Sequence, residues 1–479
     1  MTLQVPALIV GAGISGLVCA HALRKAGVNA LVVEACARPG GSIHSERRDG
    51  YLLEVGPQSF SSTAQLLALC AELGIEDKLV KAPLHAPRYV LIGGALKQVP
   101  LSPPAFLTSD LVSARTKWAI VRDVFGRSHA PEQDESVAAF VHRKFSAELL
   151  DRLVGPFVSG VHAGDPERLS LRSSFPMLYD AEKRKGSVIR GLMAKSGKEP
   201  RQRPTLLSFL DGTETLARAL CARLGDGLRL NARVTRISST GTPVYAERRS
   251  ARADVNTASH EPIRNIASAA FQATIETLGH EETILADNLV IATPTDVAGK
   301  LLRELSPSFE SLLGAVEYAP VAVVSLGYPR SDLGHPLTGF GFLVPRSAGL
   351  RVLGTVWNSS LFPGRAPGGH VLLTSFVGGA TDPTAISLPS AELAALVHSE
   401  IAPLLAIERK PALSNVTTYL RALPQYNLGH ADRLAAIETQ RALFPNLWLT
   451  GNYLSGPSIG ACVEQSLKVT NQMISRMRP

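Results

Sequence analysis

Gly11-Ala12-Gly13-Ile14-Ser15-Gly16 is a segment whose spacing can do chemistry without a reactive side chain. In such a G-x-G-x-x-G run the first glycine takes a tight turn, the second lets main chain approach a pyrophosphate, and the third lets a helix pack closely on a strand. Residues 7 to 10 read as an apolar strand before it, and a helix follows through Arg24, stopped at Gly27. A second apolar strand, residues 30 to 33, ends at Glu34, 18 positions after Gly16. An acid there accepts from a ribose hydroxyl while the helix N-terminus faces the phosphates. Strand, turn, helix, strand and acid in register predict a dinucleotide site. A Gly-rich turn with a purely structural job is the competing reading.

Two later segments say which dinucleotide. Ala37-Arg38-Pro39-Gly40-Gly41 and then Glu54-Val55-Gly56-Pro57 add a second glycine pair that a nicotinamide site does not need. Leu449-Thr450-Gly451-Asn452, with Gly460 at a predicted helix start, adds a third glycine-rich segment near the C-terminus. The set resembles the FAD signature of the amine oxidase and phytoene desaturase superfamily. That resemblance implies noncovalent FAD bordered by Gly11, Gly13, Ile14, Ser15, Gly16, Glu34, Ala35, Arg38, Gly40, Gly41, Ser42, Gly56, Pro57, Val234, Gly451, Asn452, Gly460, Cys462 and Val463.

Within the superfamily the chain resembles the oxygen-dependent protoporphyrinogen IX oxidases along nearly its whole length. The residues that carry this are Pro156-Phe-Val-Ser-Gly160-Val-His-Ala-Gly164-Asp165-Pro166, Arg172, Phe175-Pro176, Arg88-Tyr89 with Gly93-Gly94, and Gly339-Phe-Gly341-Phe-Leu343-Val-Pro345. Leu353-Gly354-Thr355, Phe376-Val-Gly378-Gly379, Pro424-Gln425-Tyr426, Gly429-His430 and the run from Gly451 to Glu464 complete the set. The resemblance implies removal of six electrons from protoporphyrinogen IX in three two-electron steps, with O2 as acceptor. It also implies that Arg88 pairs a substrate propionate, since a guanidinium fits a carboxylate as a two-pronged fork. Leu343, Val356 and Phe376 would wall the tetrapyrrole, although strand residues of these types are commonly plain core. Main chain near Gly160 and Gly164 would approach the reacting carbon, and no side chain is assigned as a base. His162 lies in that stretch and is read as a bystander. The sequence departs from the pattern at Ser42, where relatives carry Arg, and at Ser466, where a Gly is usual. The rivals are another FAD-dependent amine or carotenoid oxidoreductase and a noncatalytic flavin- or porphyrin-binding protein. An aromatic content of 6% with three Trp argues against an aromatic amine cage.

The elements that must position these groups follow from composition and pattern. The chain has 479 residues, 45% hydrophobic, enough for roughly two or three domains at about 150 residues each. Five scattered cysteines make neither a disulfide scaffold nor a zinc site, which suggests a reducing compartment. No metal is expected. The N-terminus lacks a signal-peptide pattern, and no apolar window is long enough to span a membrane. Residues 88 to 204 read as mostly helical, with a helix over 137 to 145 after the capping-prone Asp134. Residues 213 to 224 read as helix and 228 to 237 as strand. Residues 238 to 282 read as a long excursion before a short strand at 289 to 292. The β-prone runs at 321 to 326, 340 to 344, 352 to 356 and 371 to 377 predict an antiparallel sheet. The resemblance and these patterns together predict an α/β fold. A Rossmann-type FAD domain is assembled from residues 1–80, 208–300 and 425–479. An α+β substrate domain covers 301–424, and a helical membrane-facing domain covers 88–207.

Net charge is +8, and residues 181 to 203 hold eight basic residues against two acidic ones. Nucleic acid would want aromatic or recognition-helix context that this stretch lacks. A membrane surface fits it better, so peripheral attachment to the inner face of a membrane from the cytoplasmic side is expected. A solvated loop is the bland alternative. A homodimer, and hand-off of product to a ferrochelatase-type enzyme, are the remaining partner expectations.

Overall fold

The computed structural model describes residues 3–100, 102–126, 131–196, 205–240 and 270–477. Two seven-stranded sheets organise them. In the first, Leu3–Val10 lies between Ala30–Val33 and His280–Ile291, with Leu447–Leu449 pairing the far side of His280–Ile291, all parallel. Ala7, Leu8, Ile9 and Val10 are at most 5% exposed. A strand buried on both faces must be covered by helices on both sides. Helices Ile14–Lys25, Glu214–Leu224 and Ile459–Met477 cover one face, burying Leu17, Leu216 and Val463. The Pro307–Gly314 helix covers the other through Phe309 and Leu313.

Two expectations change here. The run 228 to 237 is two strands, Leu228–Arg229 and Ala232–Ser239, broken at Asn231 with φ +54. The first pairs parallel with Ala30–Val33, whereas the second pairs antiparallel with Phe271–Thr277. The excursion is also shorter at both ends. Ser238 and Ser239 complete a strand, and Phe271–Thr277 with His280–Ile291 form a hairpin turned at Leu278 and Gly279, both at positive φ. The supposed short strand at 289 to 292 is the end of this twelve-residue strand. Its first eight residues are partly exposed and include Glu281, Glu282 and Asp287, which hid it. Residues 241–269, the heart of the excursion, lie outside the described residues, as do those at 197–204 in the basic stretch.

The second sheet runs Leu413–Pro424, Tyr318–Pro329, His370–Gly378, Val352–Trp357, Gly341–Leu343, Arg88–Ile92 and Ala95–Val99. It is antiparallel as expected except where Gly341–Leu343 pairs parallel with Arg88–Ile92. The helical reading of the stretch from residue 88 therefore starts too early. Residues 88–99 are a hairpin whose turn uses Gly93 and Gly94 at φ +60 and +79, the conformation a two-residue loop needs. One sheet face packs Val324, Leu326, Phe342 and Trp357 onto Leu393, Val397 and Ile401 of the Ser390–Leu405 helix. The other face turns toward the Gly155–His162 helix.

Helices Pro103–Thr108, Ala114–Phe125, Val137–Lys144, Gly155–His162, Pro176–Lys185 and Val188–Ser196 form the helical part. Ser136, not Asp134, caps Val137–Lys144, its hydroxyl accepting from Ala139 N at 3.0 Å. Asp134 instead accepts from Ser170 Oγ and from Gly429 N, tying this part to the C-terminal segment. A buried ion network joins three of the helices: Lys144 contacts Asp123 at 2.6 Å, and Arg143 contacts Glu182 at 2.8 Å. No described helix is long and apolar enough to cross a membrane.

Candidate functional site

The turn at Gly11, φ +102, is closed by Gly11 N donating to Val33 O at 2.8 Å. Gly13 then caps the Ile14–Lys25 helix with no side-chain hydrogen bond to the helix end. A Cβ on Gly13 would meet nothing within 4 Å. The helix N-terminus, with its unpaired N–H groups and positive dipole end, therefore opens onto room for an anion. Gly16 is constrained in the opposite way, because its Cβ would stand 2.0 Å from Gly11 O. Glu34 lies beside the turn, its carboxylate accepting from Ala12 N at 2.7 Å and Cys36 N at 2.9 Å.

The second glycine pair is brought against the first. Gly40 N donates to Ala12 O at 2.8 Å, and a Cβ on Gly41 would stand 3.3 Å from Gly13 Cα. Arg38 braces this loop through Pro39 O and Ile43 O, at 2.8 and 3.0 Å. Ser42 follows, and its carbonyl leaves no room for a side chain at Gly56, whose Cβ would be 1.8 Å away. Pro57 O accepts from Thr213 Oγ1. Ala35 is half-buried, and Val234 is buried on the strand whose Ala232 N bonds Glu34 O. From the C-terminal segment, Gly451 adopts φ +154 and Asn452 O accepts from Tyr426 OH. The helix that follows brings Cys462 into hydrogen-bond reach of Ser15, and burial pushes this thiol up to about 11. Val463 is buried in the same core, and Gly460 packs on Thr63. The predicted cofactor residues thus converge from three distant chain segments. An open helix end, two positions where main chain leaves no space for a Cβ, and a carboxylate at the turn fit FAD's pyrophosphate and ribose.

These segments are tied to the loop after Asn358–Leu361 by a buried pair that sequence reasoning did not single out. Glu54, 1% exposed, accepts from Ser45 Oγ, Thr213 N and Thr213 Oγ1. Arg365, 1% exposed, lies 3.5 Å from Glu54 and donates to Ser208 Oγ and Phe209 O. Burial pushes the Glu54 carboxyl up, and Arg365 with the hydrogen bonds pulls it back.

The face of the second sheet opposite the Ser390–Leu405 helix carries the predicted substrate residues. Cross-strand register puts Arg88, Gly341, Val356 and Thr374 in one row, and Val90, Leu343, Gly354 and Phe376 in the next. Positions two apart on a strand share a face, so Arg88, Leu343, Val356 and Phe376 all stand on this side. Arg88 is exposed, its guanidinium 5.5 Å over the Phe340 ring. Leu343, Val356 and Phe376 are each half-buried. A third row, Gly378, Val321 and Tyr419, leads to the cofactor segments. Tyr419 OH comes within 3.8 Å of where a Gly56 Cβ would stand. Tyr419 is the residue that sequence reading missed; its only signal was an aromatic inside an alternating strand.

The Gly155–His162 helix lies over this face. A Cβ on Gly160 would stand 2.3 Å from Leu343 Cδ2, so any larger residue there would have to displace the Leu343 side chain. The helix ends at Ala163, φ +48, whose carbonyl accepts from Ala380 N at 2.7 Å. Gly164 follows against Leu169. His162 is half-buried with its ring edge-on to Phe175, and burial pushes it down to about 4. His430 stacks on Tyr426 and is pushed down to about 4 by burial. Both imidazoles are neutral at pH 7, and neither is placed beside this face by a hydrogen bond. Among the described residues no group of three or more His, Cys, Asp or Glu is placed to hold a metal.

Comparison with known proteins bears on this arrangement. Residues 14–474 match the family of flavin-containing amine oxidoreductases. The chain is 35% identical to the chloroplastic protoporphyrinogen oxidase of Oryza sativa subsp. japonica, over 97% of this chain and 87% of that one. It is 26% identical to the coproporphyrinogen III oxidase of Bacillus subtilis (strain 168), over 96% and 95% of the two chains. Among solved structures, that of an Exiguobacterium sp. 255-15 protein, a candidate protoporphyrinogen oxidase, aligns over 99% of both chains with TM-score 0.78 and 23% identity. The cyclohexylamine oxidase of Brevibacterium oxydans IH-35A shares the fold with TM-score 0.67 at 18% identity, covering 99% of this chain and 100% of that one.

Proposed function

Because the chain belongs to the family of flavin-containing amine oxidoreductases, we propose that it oxidises protoporphyrinogen IX to protoporphyrin IX, with O2 as the final acceptor. It is an FAD-dependent oxidoreductase of haem biosynthesis. The observation that carries the substrate reading is the sheet face that has Arg88 at one edge, Leu343, Val356 and Phe376 across it, and Tyr419 at the cofactor end. A broad apolar surface with one cation at its rim suits a flat, apolar ring system that carries carboxylates on one side.

FAD supplies the two-electron oxidation of a saturated bridge carbon. The protein's part is binding, orientation and exclusion of water. The Ile14–Lys25 helix end and the Gly40–Gly41 loop hold the phosphates, and Glu34 holds a ribose. Leu343, Val356 and Phe376 exclude water from the ring, while Arg88 fixes its direction through a propionate. Gly160 brings main chain against Leu343, so the helix end at His162 and Ala163 closes the far side of the ring. No carboxylate stands in the described rows of this face, and the main-chain carbonyls at the helix end are placed to accept from a pyrrole N–H, as a neutral imidazole also can.

The domain division follows the same reading: residues 1–80, 208–300 and 425–479 for FAD, 301–424 with the Arg88 hairpin for substrate, and the helices between Pro103 and Ser196 toward a membrane. Trp118, Phe125 and Met193 are 68%, 78% and 67% exposed on neighbouring helices, and Lys183, Arg184 and Lys185 are exposed beside them. Such a patch suits peripheral contact with an anionic bilayer.

Anaerobic mixing tests the substrate reading. Protoporphyrinogen IX should bleach the visible flavin band within the time of one turnover, and simple amines should leave it unchanged. Bleaching by amines alone would transfer the chain to its amine-oxidising relatives. Faster bleaching by coproporphyrinogen would shift the substrate to the tetracarboxylate.

A further inference from the structure

The segment from Pro424 to Asn427 touches both halves of the site. Tyr426 OH donates to Asn452 O in the C-terminal cofactor segment, and Tyr426 O accepts from Ser170 N at 2.8 Å. One residue earlier, Gln425 is 3% exposed. Its Nε2 donates to His162 O at 3.0 Å and to Leu423 O at 3.1 Å, and its own N–H donates to Glu317 O at 2.8 Å. The amide orientation is fixed by these partners, since the reverse would set Oε1 against two carbonyl oxygens. Oε1 is buried with no hydrogen-bond partner, and it stands 3.0 Å from where a Gly164 Cβ would be.

A buried amide that leaves its oxygen unpaired is a poor way to stabilise a fold, because an unmet acceptor away from water is costly. What this amide does is hold the carbonyl at the end of the Gly155–His162 helix, with its oxygen beside Gly164. That helix end carries Gly160 against Leu343. We propose that Gln425 is a positioning residue that sets the main chain from Gly160 to Gly164 over the substrate face and at a fixed distance from the cofactor segment. This rests on the reading of that face as the porphyrinogen site.

Two near-isosteric variants test it, both purified with FAD and mixed anaerobically with protoporphyrinogen IX. Gln425→Met keeps the volume and loses the donor. Flavin reduction at saturating substrate should slow by about tenfold to a hundredfold, the cost of a roughly 1 Å misplacement, while the half-saturating concentration moves less than about twofold. Gln425→Glu restores the donor only when its carboxyl is protonated. Its reduction rate relative to wild type should therefore recover toward acid pH and fall toward alkaline pH, a dependence Gln425→Met lacks. His162 and His430 are held neutral across this range, and Tyr426 is raised by burial, so none supplies that dependence. Asp165, beside Gly164, and Glu317 are common to both proteins and cancel in the ratio. A Met variant that reduces at the wild-type rate overturns the proposal. So does one that cannot retain flavin, because the amide would then serve the fold, and so does a Glu deficit that is flat with pH or follows the melting temperature. If wild type itself is not bleached, the substrate reading fails instead.

Discussion

Gly13 and Gly16 stand three positions apart and are glycine for different reasons. Gly13 has an ordinary φ of −67° and open space where its Cβ would go, whereas a Cβ on Gly16 would lie 2.0 Å from Gly11 O. Gly13→Val should therefore fold, melt within a few degrees of the flavin-free wild type, and come off the column colourless, because the side chain occupies the phosphate's place. Gly16→Val should fail to fold, since two backbones are forced apart. Equal melting of both variants would refute the distinction. Arg88 works by another rule. It is exposed, and its proposed contact is with a carboxylate remote from the reacting bridge, which ground state and transition state feel alike. Arg88→Ala should raise KM by about tenfold, roughly 1.4 kcal/mol, with kcat within about twofold. A collapse of kcat at constant KM would place Arg88 in the reacting geometry.

At the scale of elements, the Glu54 and Arg365 pair connects the Tyr51–Glu54 strand to the loop after Asn358–Leu361, with both side chains fully buried. Removing one partner leaves an uncompensated buried charge. Arg365→Met should cost about 3 to 5 kcal/mol in chemical denaturation, and Glu54→Gln added to it should recover part of that loss. A double variant that simply adds the two losses would mean the pair is not coupled. This lock was illegible in the sequence because its members lie far apart: Arg365 sits in no motif, and Glu54 is read only as part of a cofactor segment. The cofactor cradle was legible for the opposite reason. Its demands are local, a glycine where a carbonyl passes within 2 Å of a Cβ position and an acid at a strand end, so type and spacing carry them. The Arg88 hairpin and the long His280–Ile291 strand were misread because pairing, local across each hairpin and distant with Gly341–Leu343 and Leu3–Val10, makes them strands where their own periodicity does not. Tyr419 escaped for the same reason: its closeness to Gly56 comes from the pairing of Val321 with both Gly378 and Tyr419. Arg88, Leu343, Val356 and Phe376 could be placed in sequence only by resemblance, and it is the register of four strands that puts them on one face.

For the whole molecule, the question is what covers the helical face. Trp118 and Phe125 are seven positions apart on one helix, hence on one side of it, and Met193 is on the Val188–Ser196 helix that packs against it. Lys183, Arg184 and Lys185 end the adjoining Pro176–Lys185 helix, where the helix dipole also favours cations. A membrane contact built from both parts responds to salt in two stages. At about 1 M salt the Debye length is roughly 3 Å, which removes the long-range attraction of the basic run for anionic lipid and leaves apolar insertion intact. Wild type should thus be partly released from anionic vesicles by salt, the remainder requiring detergent. Reversing Lys183, Arg184 and Lys185 to Glu should abolish only the salt-sensitive fraction, and Trp118→Ser with Phe125→Ser only the detergent-sensitive one. Neither set of changes touches the sheet face, so flavin bleaching in solution should be unaltered in both. A wild type that ignores anionic vesicles at low salt would make the basic run a solvated helix end and leave the apolar patch to another partner.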